Sequence, residues 1–230
     1  MVEIEFIVSK EEDLKNWLKF IKNSSAYGND WFKDYPEDFK NSLVSASDSK
    51  KVELIDKYTK KFYSKKYLTN FYNSNLKLNK YKDEIINKLE NIHKNKFPVN
   101  KVYIKYNTFV ACPYEFRKNQ KWFGIFIYIK YVDKYLFRVV IHELMHLFFH
   151  SYFWNVCKEK NLSESEIHDI KESFTVIINE EFKDLIEIKD NGYLKHSKLR
   201  VFILEEWKKN PNFLNVLNKA IIEYKRLNYG

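Results

Sequence analysis

Residues 135–152 constrain this chain more than any other stretch. Leu136, Phe137, Val139, Val140, Ile141, Leu144, Met145, Leu147, Phe148 and Phe149 make the run apolar on nearly all sides. A helix of that composition is buried all round. Within it stand His142, Glu143 and His146, and uncompensated buried charge costs several kcal/mol, so these groups need partners. Residues four apart lie one turn apart on nearly one face, which lets His142 and His146 aim two imidazole nitrogens at one metal ion. Glu143, rotated by ~100°, is poorly placed to join that ligand set, but its carboxylate can reach a water at the ion.

Composition removes several classes. The chain has four glycines, Gly28, Gly124, Gly192 and Gly230, too few and too scattered for a phosphate-cradling loop or a dinucleotide-binding turn. Cys112 and Cys157 sit in apolar surroundings and read as reduced core thiols, not as a disulfide framework or a cysteine zinc site. No 18-residue stretch is free of polar groups, and the first residues lack a basic and an apolar leader region. The expectation is a soluble, unexported, cytoplasmic protein that makes no membrane contact. The net charge of +9 is concentrated: residues 50–105 hold 15 Lys and 5 acidic residues. Such a portion could attract nucleic acid or an acidic partner. Lys, Asn, Ile, Tyr and Phe are abundant throughout, however, so a solvated lysine face is the favoured reading and nucleic acid is disfavoured.

In chain order, Val2, Ile4, Phe6 and Val8 alternate with polar residues as in a half-buried strand. Ser9 to Glu12 forms a capping box that opens a helix burying Leu14, Trp17, Leu18 and Ile21. Residues 24–36 read as a loop, followed by helices near 37–44, 49–63 and 76–94. Aromatics interleave with lysines from Tyr58 to Tyr81, a pattern more often core than stacking platform. Alternation at Val102, Ile104 and Tyr106, and again over 124–130, predicts two strands, with 107–120 irregular between them. Asp133 is the expected cap of a helix over 134–157. Ser163 to Glu166 is a second capping box, and its helix continues to Phe182. Asp190-Asn191-Gly192 is a turn with Gly192 in the left-handed conformation. Helices near 197–208 and 211–227 follow, the last with Asn210 as cap and Pro211 at its first position.

His142-Glu143-Leu144-Met145-His146 resembles the signature of the zincin metallopeptidases at every required position. The resemblance extends over roughly residues 100–200 and implies a zinc-dependent hydrolase acting on a peptide or protein substrate. It implies Glu143 as general base, and a strand entering the motif helix that binds an extended substrate backbone by edge addition. A catalytic zinc takes three protein ligands and keeps one open position. The variant with a third His downstream fails at Phe149 and Tyr152, which leaves the gluzincin solution, an acid on the next helix. Candidates are Glu166, Glu172 and Glu180. In an antiparallel helix pair turning near residue 160, the position opposite His146 is about 174, and Glu172 lies nearest. Glu166 is needed by the capping box, and Glu180 is turned away from the stripe Glu172, Thr175, Val176, Asn179. The metal set is therefore His142, His146 and Glu172.

By the same resemblance, Tyr193 or His196 supplies the donor that stabilises an oxyanion. Asp190 is a candidate to orient a ligand imidazole; Arg200 could bind a substrate carboxylate or pair with an acid. His150, one turn after His146, could support the site or line the pocket, with packing or a surface position favoured. The expected fold is α+β: a mainly helical region over 1–98, and a zincin-like catalytic domain over 99–230 with a small sheet and the motif helix. The rival reading is a non-catalytic zinc protein whose basic helical region binds nucleic acid or an acidic partner.

Overall fold

The computed structural model describes residues 2–22, 30–33 and 35–229. Most of the loop expected over 24–36 lies outside the described residues. The fold is α+β, helices gathered around a four-stranded mixed sheet in the order β1-β2-β4-β3. These strands are Glu3–Ile7 (β1), Lys101–Asn107 (β2), Tyr114–Arg117 (β3) and Trp122–Tyr128 (β4). β1 runs parallel to β2 and β2 parallel to β4, with Ile4 opposite Val102 and Val102 opposite Phe123. β3 closes the order antiparallel to β4, Tyr114 facing Ile125.

Period-2 alternation gives the sheet two different faces. Val102, Ile104, Tyr106, Phe123, Ile125 and Ile127 point into the main core. The opposite face carries Lys105, Trp122 and Phe126 beneath α1 (Lys10–Lys22), where Lys105 pairs with Glu12 and Glu115. Gly124 leaves the room for it: a Cβ there would come 3.1 Å from the Lys105 side chain. A smaller apolar cluster gathers around Trp17, whose indole donates to Thr108 at 2.9 Å. Below it Asp13 accepts from the Thr108 amide and hydroxyl and from Tyr63.

Helices α2 (Glu37–Ser45) and α3 (Asp48–Thr59) fall close to their expected places. The next helix, α4 (Lys65–His93), begins eleven residues earlier than its apolar spacing predicts. Phe71 and Leu78 extend the buried face of Ile85, Leu89 and Ile92 into the same core that holds the motif helix. With β1 in the sheet and α4 in this core, residues from the first hundred and the last hundred and thirty share one interior. Most aromatics between Tyr58 and Tyr81 also pack here: Phe62 and Phe71 are buried, and Tyr58, Tyr63, Tyr67 and Tyr81 rest against the core, while Tyr72 is exposed.

Three expectations need correction. Residues 107–120 are not wholly irregular, since β3 forms there by pairing with β4, an interaction with no local signature. The motif helix does not run unbroken from 134 to 157, nor is Asp133 its cap. It comprises α5 (Leu136–Phe148), a π-helical turn over Phe149–Phe153 and α6 (Trp154–Glu159), and Tyr135 stands at its cap position without a side-chain bond. The terminal helix starts two residues late: Asn212, not Asn210, accepts the amide of Asn215 at the head of the helix Phe213–Tyr229. Both Ser9 and Ser163 cap as predicted, and Ser163 makes the full reciprocal box with Glu166. Among the described residues, no helix is long and apolar enough to cross a membrane.

His93, at the end of α4, is buried between Phe148 and Phe213 with its Nδ1 2.8 Å from the Leu89 carbonyl. Burial pushes its pKa down to about 3. The unfolded chain binds this proton below about 6.5 and the folded chain does not until about 3. Its contribution to stability is therefore complete above the unfolded value and is lost as pH falls toward the folded one. Urea unfolding across pH 6 to 4 should show the wild type losing on the order of 1 kcal/mol per pH unit more than His93→Leu; parallel pH profiles would contradict this.

Candidate metal centre

The centre is built from three segments. On α5, His142 and His146 sit one turn apart with ring centroids 4.5 Å from each other. The capping box then launches α7 (Glu164–Phe174), which packs on α5 and carries Glu172. Glu172 Oε1 lies 3.2 Å from His146 Nε2, and its Oε2 lies 3.6 Å from His142 Nε2. One ligand atom from each of the three residues falls within 4.8 Å of the others, a group that could hold a metal ion. The competing acids are elsewhere: Glu166 accepts the Ser163 amide at 2.7 Å, and Glu180 pairs with Lys208.

The third segment is the turn after α7. Asp190 Oδ2 is 2.5 Å from His142 Nδ1, which fixes that ring and leaves Nε2 facing Glu172. Asp190 is itself held from several sides. Its amide donates to Asn179 and its carbonyl accepts from Asn179, each at 2.8 Å. Arg200, on the helix Ser197–Lys209 (α9, following the four-residue α8, Ile178–Glu181), donates to the Asp190 carbonyl at 2.6 Å and its Oδ1 at 2.9 Å. The other Arg200 arm reaches the Glu172 carbonyl and the Thr175 hydroxyl. Arg200 thus pairs with a protein acid. Thr175 and Asn179, two members of the polar stripe read from the sequence, serve the same support.

Gly192 closes this turn with φ +60°, and a Cβ there would lie 2.6 Å from the Arg200 guanidinium carbon. Backbone conformation and space both demand glycine.

His142, Glu143, Asp190 and Tyr193 line a cleft of about 290 Å³. Glu143 is 8% exposed. His196 is not among the described residues that line the cleft. It is buried with Nε2 3.0 Å from Asp169, an acid that also receives Lys195 and Tyr224. Of the two oxyanion donors expected from sequence, the cleft holds Tyr193.

Electrostatics set the charge states. Burial disfavours a charged His142, but Asp190 and Glu172 outweigh it and raise its pKa to about 10. Burial lifts the Glu143 carboxyl to about 7 and pushes His146 down to about 3. Burial also opposes ionisation of Glu172 and Asp190. His146 and Lys171 hold Glu172 well below the carboxylate range, and His142 and Arg200 hold Asp190 at about 2. Glu172 and Asp190 thus stay ionised, whereas burial drives Glu143 toward its neutral form.

Lys171 and Tyr114 are the members that sequence reasoning missed. Lys171, 1% exposed, lies 3.0 Å from Glu172 Oε1 and donates to Tyr114 Oη at 3.1 Å. Tyr114 Oη is in turn 2.5 Å from His150 Nε2. The available signal was a lysine amid Ile167, Ile170 and Phe174, on a helix otherwise read as largely apolar. Tyr114 had none, because it lies on β3. His146 Nδ1 is buried with no hydrogen-bond partner among the described residues.

Two variants test the support around Asp190. Asp190→Asn should weaken zinc affinity by roughly 10- to 100-fold in competition with a chromogenic chelator, because it loosens the His142 ring. Unchanged affinity would remove Asp190 from the centre. Gly192→Ala should lower stability to urea by about 1–3 kcal/mol through strain at a positive φ and displacement of Arg200; a neutral effect would show that the turn tolerates a Cβ.

In comparisons with known proteins, no protein-family model, curated protein or solved structure matches this chain.

Proposed function

We propose that this chain is a zinc-dependent hydrolase, a metallopeptidase of the gluzincin type on a zincin-like α+β fold. One observation carries the reading: His142, His146 and Glu172 converge within 4.8 Å while Glu143 lines the adjoining cleft. The donor chemistry fits zinc, with two imidazoles and a carboxylate, and the bond from Asp190 to His142 is the outer support such ligands use. A structural zinc takes four protein ligands, whereas three are grouped here among the described residues. When bound, zinc supplies Lewis acidity that makes water nucleophilic at neutral pH.

The chain's own residues divide the remaining work. Glu143, raised by burial to about 7, takes the proton from the attacking water and delivers it to the leaving amine. Tyr193 donates to the developing oxyanion across the cleft. Asp190, clamped by Arg200 and Asn179, keeps His142 Nε2 directed at Glu172. Lys171 holds Glu172 ionised.

The strand leading into the motif helix, β4, pairs with β2 along its length and with β3 over Trp122 to Ile125, and beyond that its Phe126 and Tyr128 amides donate to the Pro113 carbonyl and Cys112 Sγ. Edge addition of a peptide falls instead to β3, the outer strand, whose Tyr114 ring lies 5.6 Å from the His146 ring. Cytoplasmic residence agrees with Cys112 and Cys157 being free thiols.

Glu143→Gln should retain about one zinc per chain by elemental analysis yet hydrolyse a denatured-protein peptide mixture roughly 10²- to 10⁴-fold more slowly. Glu172→Ala should lose zinc. Full hydrolysis by Glu143→Gln would overturn the role of the base, and unchanged zinc affinity in Glu172→Ala would overturn the ligand set.

A further inference from the structure

The cleft beside the metal centre carries a guanidinium that takes no part in the proposed hydrolysis. Arg138 lies one helical turn before His142 on α5, about 6 Å along the axis, and lines the same cleft. It is the one Lys or Arg among the described residues that do so. The other cations near the centre are engaged: Lys171 with Glu172 and Tyr114, Arg200 with Asp190 and Glu172. The Arg138 guanidinium stacks over the Tyr135 ring at 4.7 Å, and no ion pair or hydrogen bond joins it to any described residue. Stacking uses the face of the guanidinium and leaves its edge, a fork of N–H donors, free for a planar anion. Asp190, the acid whose charge Arg138 faces, makes no hydrogen bond or ion pair with it: its two carboxylate oxygens go to His142 and Arg200.

A half-buried cation left with open donors in a cleft favours a carboxylate from the ligand. Resting on the zinc-hydrolase reading, we propose that Arg138 is the specificity-determining residue of this site and receives a substrate carboxylate close to the scissile bond. That carboxylate is either an Asp or Glu side chain or the terminal carboxylate of the peptide. The preferred substrates are thus peptides that present an acid within a residue or so of the bond cut.

The test uses zinc-loaded full chain and two small hydroxamic acids of similar length, butyrohydroxamic acid and succinic monohydroxamic acid, titrated calorimetrically. Both carry the zinc-binding head, and only the second carries a carboxylate. Wild type should bind the carboxylate probe about tenfold more tightly, since a charge-assisted hydrogen bond is worth at least that factor. Arg138→Gln should bind the two equally while keeping wild-type affinity for butyrohydroxamic acid, and Arg138→Lys should keep part of the preference. Equal binding by wild type, or a preference that survives in Arg138→Gln, overturns the proposal while leaving the metal centre intact. Failure of the uncharged probe to bind overturns the metal-centre reading and this inference with it. Cleavage of amidated peptides with an internal Glu, set against free-acid peptides with Gln in its place, identifies the source of the carboxylate. Arg138-dependent cleavage of either set supports the proposal, and dependence in neither overturns it.

Discussion

Three side chains, His142, His146 and the buried ammonium of Lys171, converge on the carboxylate of Glu172. One oxygen faces His146 and the Lys171 ammonium, the other faces His142. An isolated carboxylate at 7% exposure would be expensive to keep ionised. Here the surrounding donors reverse that cost, so the group stays charged and the imidazoles are drawn around it. Removing Lys171 would leave the Glu172 carboxylate, and removing Glu172 would leave the Lys171 ammonium, as a buried charge short of its partner.

The rest of the fold can be understood as holding that convergence. The sheet and α4 supply an apolar bed for α5, with Leu78, Ile85, Leu89, Ile104 and Ile125 in one core with Val140, Leu144 and Leu147. The capping box at Ser163 fixes where α7 begins and so the height at which Glu172 meets α5. Beyond α7, the turn at Gly192 brings the chain back under Arg200, which ties Asp190 to the backbone of Glu172 itself. One guanidinium thereby ties α7 to the supporting turn, and Asp190 carries the link on to His142 of α5. Such support matters in a metal site because ligand orientation must be set before the ion arrives.

Local chemistry made much of this legible in the sequence. The apolar run announces a buried helix, His142 and His146 share its face by spacing alone, and the capping box excludes Glu166 by occupying its side chain. The stripe Glu172, Thr175, Asn179 points to a helix edge with a polar task. What escaped depends on contacts distant in sequence. β3 exists because Tyr114 to Arg117 pair with β4, so the Tyr114–Lys171 link could not be read from either segment. His196 was placed beside the cleft by analogy of position, whereas its imidazole is bound to Asp169, 27 residues earlier. Arg200 left two readings open, substrate binding or pairing with an acid, and only the folded turn at Asp190 decides between them.

In the proposed centre two imidazoles and one carboxylate hold zinc beside Glu143. X-ray absorption at the zinc edge, on the purified zinc-loaded chain, tests it most directly. The spectrum should show a light-atom shell of nitrogen and oxygen at about 2.0–2.2 Å with outer scattering from two imidazoles, lost in Glu172→Ala. A zinc–sulfur distance near ~2.3 Å, or an imidazole signal that persists unchanged in Glu172→Ala, would contradict it.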